Sequence, residues 1–295
     1  MELRDAALRV AAFLGIFLVV AVFFGLGAVP VPDGDENRTE PLTVESHQPD
    51  AILAAPQPEE GDVTVDASTT GRTIVIDQSH DNDVTADGIG PLVTKLVAAG
   101  HDVRFYTDAM ANNSTLETTL ADADAFVVVA PEEQYDATER AQVERFADDG
   151  GRVLLVNEPP IQGTAGATNE TSMTNLASTF GLGFEAGYLY DQTDYDTNHR
   201  AVYATPAGEG GLADGVDRVT AYTARPVVGG TPVVVTNETT RLSTTRRQGT
   251  YAVLARQDNV TALGDGSLLG PDYVYTSDNE VLVGNLAEFL VTGSS

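Results

Sequence analysis

The stretch "DQSHDND" puts Asp77, Ser79, His80, Asp81, Asn82 and Asp83 within seven positions, directly after the apolar run "TIVI". Carboxylates beside an imidazole can pass protons, hold a cationic ligand or coordinate a divalent ion of hard or borderline character. A metal on Asp77, His80 and Asp83 is one option. The plainer alternative is that a single loop histidine hydrogen-bonds its neighbours, and no metal site is assigned. Ser79 lacks the G-x-S-x-G turn that presents a hydrolase nucleophile. We therefore assign Asp77, Ser79, His80, Asp81 and Asn82 to ligand binding, joined by Glu158 and Asp265 from two later strand ends. No residue is assigned a catalytic role and no cofactor is expected.

Other motifs carry less chemistry. "DYDTNHR" opens like a calcium loop, with Asp194, Asp196 and Asn198 alternating, but has His199 where glycine belongs and Thr205 where the bidentate glutamate belongs. "GLGFEAG" follows a helical pattern, so its glycines read as cap and turn residues, and "GEGG" lacks the phosphate-loop lysine. The chain has no cysteine, which removes disulfides, thiolate metal sites and cysteine nucleophiles. Sequons stand at Asn37, Asn112, Asn113, Asn169, Asn237 and Asn259 and are expected as glycosylation positions.

The elements that must position these residues alternate. "RTIVID" and "DVRFYT" read as strands flanking "IGPLVTKLVAAG", whose helical spacing is closed by Gly100. "AFVVVA" is a continuous apolar run suited to a strand buried on both faces. In "DATERAQVERFADDGG", Asp136 and Glu139 have capping-box spacing, and "RVLLVN" is a fourth strand. "TSMTNLASTFG" adds a helix. From about 184 to 257 the pattern turns strand-rich, and "NVTALGDGSLL" with "SDNEVLVGNLAEFLVTG" restores a strand and a helix, the latter with Ser277 and Glu280 as its capping box. The expected fold class is α/β: a mostly parallel three-layer α/β/α sheet with a β-rich insertion. Its polar loops should meet beyond the carboxyl ends of the strands, where open parallel sheets bind ligands.

Sixteen basic residues face 44 acidic ones, for a net charge of −28, and Lys95 is the only lysine. Such a surface repels nucleic acid, so no nucleic-acid partner is expected. The missing lysines and spread acids point to a protein built for very salty water, as in halophilic archaea, where screening shortens the Debye length to about 3 Å at 1 M salt. Val10–Val29 is uninterrupted apolar or glycine sequence, preceded by Arg4 and Arg9. Twenty residues span about 30 Å as a helix, which predicts a transmembrane signal anchor with residues 1–9 cytoplasmic. Residues 30–71, with six prolines and ten acids against Arg38 alone, read as an acidic tether. The α/β domain then occupies 72–295, outside the cytoplasm on a single-pass cell-membrane anchor, with the bilayer and other membrane or envelope proteins as partners.

The segments "VIDQSHDN", "VVVAPEEQYDATERAQVERFADDGGRVLLVNEP" and "ALGDGSLL" resemble the domain-of-unknown-function 4350 family of membrane-anchored proteins. That family lies in the class I glutamine-amidotransferase-like branch of flavodoxin-like folds; gliding-motility-type transport accessory domains look similar. The resemblance implies that fold over most of 72–292. The absent cysteine excludes amidotransferase activity. The expected function is a membrane-anchored, extracytoplasmic, non-catalytic binding or assembly module of a halophile. The alternative is a hydrolase acting on a small or cell-surface substrate through the acidic loops at the strand ends.

Overall fold

Apolar residues alternate along the central strands and so build two separate cores. In β1 (Thr73–Gln78), Ile74 and Ile76 join one buried cluster and Val75 the other. In β3 (Ala125–Val129), Val127 and Phe126 divide the same way. Period-two alternation between two apolar faces is what a sheet covered on both sides requires. The computed structural model describes residues 59, 61–65, 69–82, 86–111, 115–159 and 169–292.

The first face packs on α1 (Ala86–Ala98), through Ile89, Leu92 and Leu96, and on the C-terminal helix. After α1, Gly100 takes φ 89° and releases the chain into β2 (Asp102–Thr107). Two short helices follow, α2 (Asp108–Ala111) and α3 (Leu116–Leu120). The second face packs on α4 (Ala137–Asp148) through Val143 and Ala147. The expected capping box of α4 is formed: Asp136 accepts from the Glu139 amide at 2.8 Å, and the Glu139 carboxylate accepts from the Asp136 amide at 2.7 Å. Next come β4 (Arg152–Val156) and α5 (Asn169–Ala177), whose Met173 and Leu176 join the second core.

The remaining strands are β5 (Gly183–Phe184), β6 (Leu189–Tyr190), β7 (Ala201–Pro206), β8 (Val219–Tyr222), β9 (Val227–Val228), β10 (Thr231–Thr236), β11 (Arg241–Leu242), β12 (Ala252–Gln257) and β13 (Val260–Leu263). Helix α6 (Asn279–Val291) follows them. The main sheet runs β2-β1-β3-β4-β13-β12-β10-β7-β8, with β9 paired to β12 and β5 paired to β9. It is parallel from β2 to β13 and antiparallel from β13 onward. The "mostly parallel" expectation is corrected to a mixed sheet. The reason is the tight turn at Asp258 (φ 53°), which pairs β12 against the edge of β13. The β-rich insertion thereby extends the parallel core instead of standing apart from it.

A second correction concerns α6. Its expected capping box on Ser277 and Glu280 does not form. Asp278 precedes the helix with no side-chain cap bond, and its carboxylate accepts instead from the amides of Asp217 and Arg218. Ser277 bonds the Thr220 hydroxyl. The helix start is thus used to hold β8.

The third correction is the anchor. Among the described residues no helix is long and apolar enough to cross a membrane. The span expected at Val10–Val29 lies outside those residues. The transmembrane helix ahead of the fold, the bilayer and envelope partners and the single-pass membrane location are corrected on that finding and carried no further.

Candidate functional site

Strand β1 delivers Asp77 to the α4 face, because it shares the parity of Val75. The side chain is fully buried, so its charge must be met locally. Asp77 Oδ2 bonds His80 Nδ1 at 2.8 Å and also accepts from the Tyr135 hydroxyl. Oδ1 accepts from the Ser79 amide at 3.0 Å and the Ser79 hydroxyl at 2.8 Å. His80 stacks on Tyr135, and its Nε2 lies 3.3 Å from Glu139 Oε2. Burial pushes the Asp77 carboxyl up, but the hydrogen bond and charge of His80, with Tyr135 and Ser79, outweigh it and hold it below its ordinary value. Burial likewise pulls His80 down, and Asp77 and Glu139 outweigh it, so the imidazole is raised. Both ring nitrogens are committed to carboxylates and the ring is 5% exposed. This is a buried ion-pair lock between the loop after β1 and the first turn of α4, not a free base.

The rest of that loop faces outward. Asp81 is exposed with φ 52°, a conformation aspartate tolerates better than most residues. Ser79 and Asp81 line an open cleft of about 460 Å3 with Asp108, Ala111 and Glu133. Asn82 turns inward: its Oδ1 accepts from the His80 amide and its Nδ2 donates to Val129 O at 3.2 Å. Asp83 lies outside the described residues.

Glu158 and Asp265 belong to a different place, on the α1 side of the strand ends. A cleft of about 260 Å3 is bounded there by Gly88, Val129, Glu158, Tyr222, Ser267 and Tyr273, among others. The Glu158 carboxylate lies over Gly266, where a Cβ would come within 2.8 Å of Oε2. Asp265 is fully buried behind the cleft wall. Its Oδ1 accepts from the Ser267 amide (2.9 Å) and hydroxyl (2.6 Å), and its Oδ2 from the Tyr222 amide (2.7 Å). Burial pushes its carboxyl up to about 6, against the opposing pull of those donors and the Leu268 amide. Tyr273 stacks on Tyr222 with centroids 4.8 Å apart; burial, Tyr222 and Asp265 raise its hydroxyl well above the ordinary value.

The seven assigned residues therefore divide between two sites that share no lining residue; only Asn82 reaches from one toward the other. Tyr135, Tyr222, Ser267 and Tyr273 were not assigned from sequence, and Glu139 was noticed there only as a cap. Among the described residues no group of three His, Asp or Glu side chains could hold a metal. The failed calcium-loop residues serve the fold: Asp194 accepts from Asn237 and Asp196 from Tyr203. Of the sequons, Asn37, Asn112 and Asn113 lie outside the described residues, as does the side chain of Asn169. Asn237 donates to Asp194, and Asn259 donates to Ala147 O while accepting from Arg152.

No family model matches the chain, and no curated protein matches it. Among solved structures it is similar to the mmIFT52 N-terminal domain, with a TM-score of 0.59 and 13% identity over 75% of this chain and 99% of that one. That likeness shows the fold alone. An exo-beta-1,4-mannosidase, Op5Man5 from Opitutaceae bacterium strain TAV5, aligns with a TM-score of 0.38 and 10% identity, over 76% of this chain and 36% of that one; it supports no argument. The resemblance to the domain-of-unknown-function 4350 family is corrected on these findings, together with its amidotransferase-like placement and halophilic archaeal type. The membrane-anchored binding or assembly module built on that resemblance is set aside with it.

Proposed function

We propose that the domain hydrolyses a small substrate held in the cleft at the carboxyl ends of β3, β4 and β13. One observation carries the reading: Glu158 projects from the end of β4 into a concave site walled by the loop of Ser267 and by Tyr222 and Tyr273. Glu158 is the general base that takes a proton from the attacking water. Ser267 serves the cleft wall in this reading, its hydroxyl donating to Asp265 at 2.6 Å. Tyr273 keeps its proton at neutral pH and is a donor for the oxygen on which charge develops. The volume of about 260 Å3 suits a single ring or short chain.

Turnover of chromogenic ester, phosphoester and glycoside substrates tests this. Glu158→Gln should lower kcat by about 100-fold or more while leaving the melting temperature in place, as loss of a general base does. Absence of turnover on all three classes, or full activity in Glu158→Gln, removes the reading.

A further inference from the structure

Strand β8 ends the sheet path, four strands beyond β13, yet its last residue, Tyr222, hydrogen-bonds Asp265, two residues past the end of β13. The sheet must curl back for this. The return is held by Asn279, which bonds both the amide and the carbonyl of Thr220, and by the bridge from Val219 to Ser277. At the closure, Asp265 accepts from Tyr222 on one wall of the cleft and from Ser267 on the other. One carboxylate therefore sets the spacing of both walls. Gly264 permits the approach, since a Cβ there would come within 2.0 Å of Arg225 O.

We infer that Asp265 is a proton-sensitive positioning residue that pins the two cleft walls together when ionised and lets them part when protonated. This rests on the cleft being the working site. An ionised carboxylate accepts from all four donors around it: the amides of Tyr222, Ser267 and Leu268 and the Ser267 hydroxyl. A protonated one carries a donor of its own, so at least one of those bonds is lost. The titratable and charged groups around it are Tyr222 from β8, Tyr273 and Asp272 from the segment after Ser267, Glu158 from the end of β4, and Arg225, whose amide bonds the Gly264 carbonyl and whose guanidinium turns to Glu185 O. The opposing pulls on its carboxyl come from the hydrogen bonds of Ser267, Tyr222 and Leu268 rather than from a cation. Burial accordingly places its titration at about 6.

The test is a pH titration of the full chain labelled with 15N-tyrosine. The Tyr222 amide proton should move upfield on acidification, through one transition centred near 6. Glu158→Gln should retain that midpoint, and Asp265→Asn should abolish it. A Tyr222 amide that is flat between about pH 4.5 and pH 8, or a midpoint that follows Glu158→Gln by more than about one unit, overturns the inference. The two readings fail separately. A flat Tyr222 with intact turnover overturns this inference alone, whereas a titrating Tyr222 without turnover overturns the hydrolase reading alone.

Discussion

The imidazole of His80 stacks on the phenol of Tyr135, with centroids 3.7 Å apart and planes 13° apart, and both rings hydrogen-bond the buried carboxylate of Asp77. The loop after β1 and the entry to α4 are thereby clamped on one charge. His80 contributes as a cation. Its folded pKa is raised, so its stabilisation is complete below its unfolded value of 6.5 and is lost as pH rises through the folded value. The folded pKa of Asp77 is depressed, so its share is present above 3.8 and is lost as pH falls through the folded value. Breaking a buried pair by removing one partner costs about 3–5 kcal/mol. His80→Ala should cost that much between the two limits and progressively less in alkaline solution. Urea midpoints of both proteins across pH measure it; a penalty that grows with rising pH would refute the cationic lock.

Tyr135→Phe separates the hydroxyl from the ring. The stacked face survives, but Asp77 loses one donor in a buried site, at a cost of about 1–3 kcal/mol. Because the hydroxyl helps hold the carboxylate below its ordinary value, Asp77 should titrate at a higher pH in the variant than in the parent. An unchanged Asp77 carboxyl titration by NMR would assign the tyrosine to packing alone.

Asp265 acts on stability with the opposite sign. Its folded pKa lies at about 6, above the ordinary 3.8, so the folded chain binds more protons than the unfolded chain between those values. Stability from this group falls as pH rises through that window. The ionised form costs on the order of 3 kcal/mol at neutral pH. Asp265→Asn should therefore flatten the pH dependence of unfolding between about pH 4 and pH 6, whatever its absolute stability. A slope identical to that of the parent would show that another group titrates there.

How much of this was legible depended on whether the interaction was local. "FVVV" identified a strand buried on both faces, and it is β3 at the middle of the parallel half. Asp136 and Glu139, three residues apart, identified the start of α4. The polar run after "TIVI" lies at a strand end, as its position implied. What the sequence hid was partnership across distance. Tyr135 is 58 residues from Asp77, and Tyr222 is 43 from Asp265, brought there only because the sheet curls back. The Ser277–Glu280 spacing misled for the same reason: Asp278 gains more by holding the amides of Asp217 and Arg218 than by capping its own helix. A capping motif states what a local segment can do, and β8 offers a competing set of donors.

Charge sets a further expectation. Residues 72–295 hold 32 acidic and 13 basic side chains, a net charge of −19. Self-repulsion on that scale is long-ranged at low ionic strength and short-ranged at high. Lowering salt from about 1 M to about 0.1 M lengthens the Debye length from ~3 Å to ~10 Å, so the melting temperature should fall on dilution. A melting temperature independent of salt would mean that the acidic surface is locally compensated.

Gly284 tests how the chain ahead of β1 is held. Residues 61–65 lie along α6, and a Cβ on Gly284 would come within 2.4 Å of Thr64 O. The contact seats Val63, 1% exposed, in the first core, while Lys95 pairs with Asp62 beside it. Gly284→Ala must push this segment away, because a backbone carbonyl cannot rotate aside as a flexible side chain would. Helix propensity works the other way: alanine gains about 1 kcal/mol over glycine in a helix interior. The expected result is therefore split. Loss of Val63 burial costs about 1.5–3 kcal/mol, so global stability should drop by only about 0.5–2 kcal/mol once the helix gain is subtracted. Limited proteolysis in the 59–65 segment should accelerate at the same time. A second variant, Val63→Ala, removes the buried side chain without touching α6 and should reproduce the faster cleavage without the helix gain. Unchanged cleavage in both variants would show that the segment owes its place to its other ties, the Lys95–Asp62 pair and the bond from the Glu59 amide to Tyr275 O.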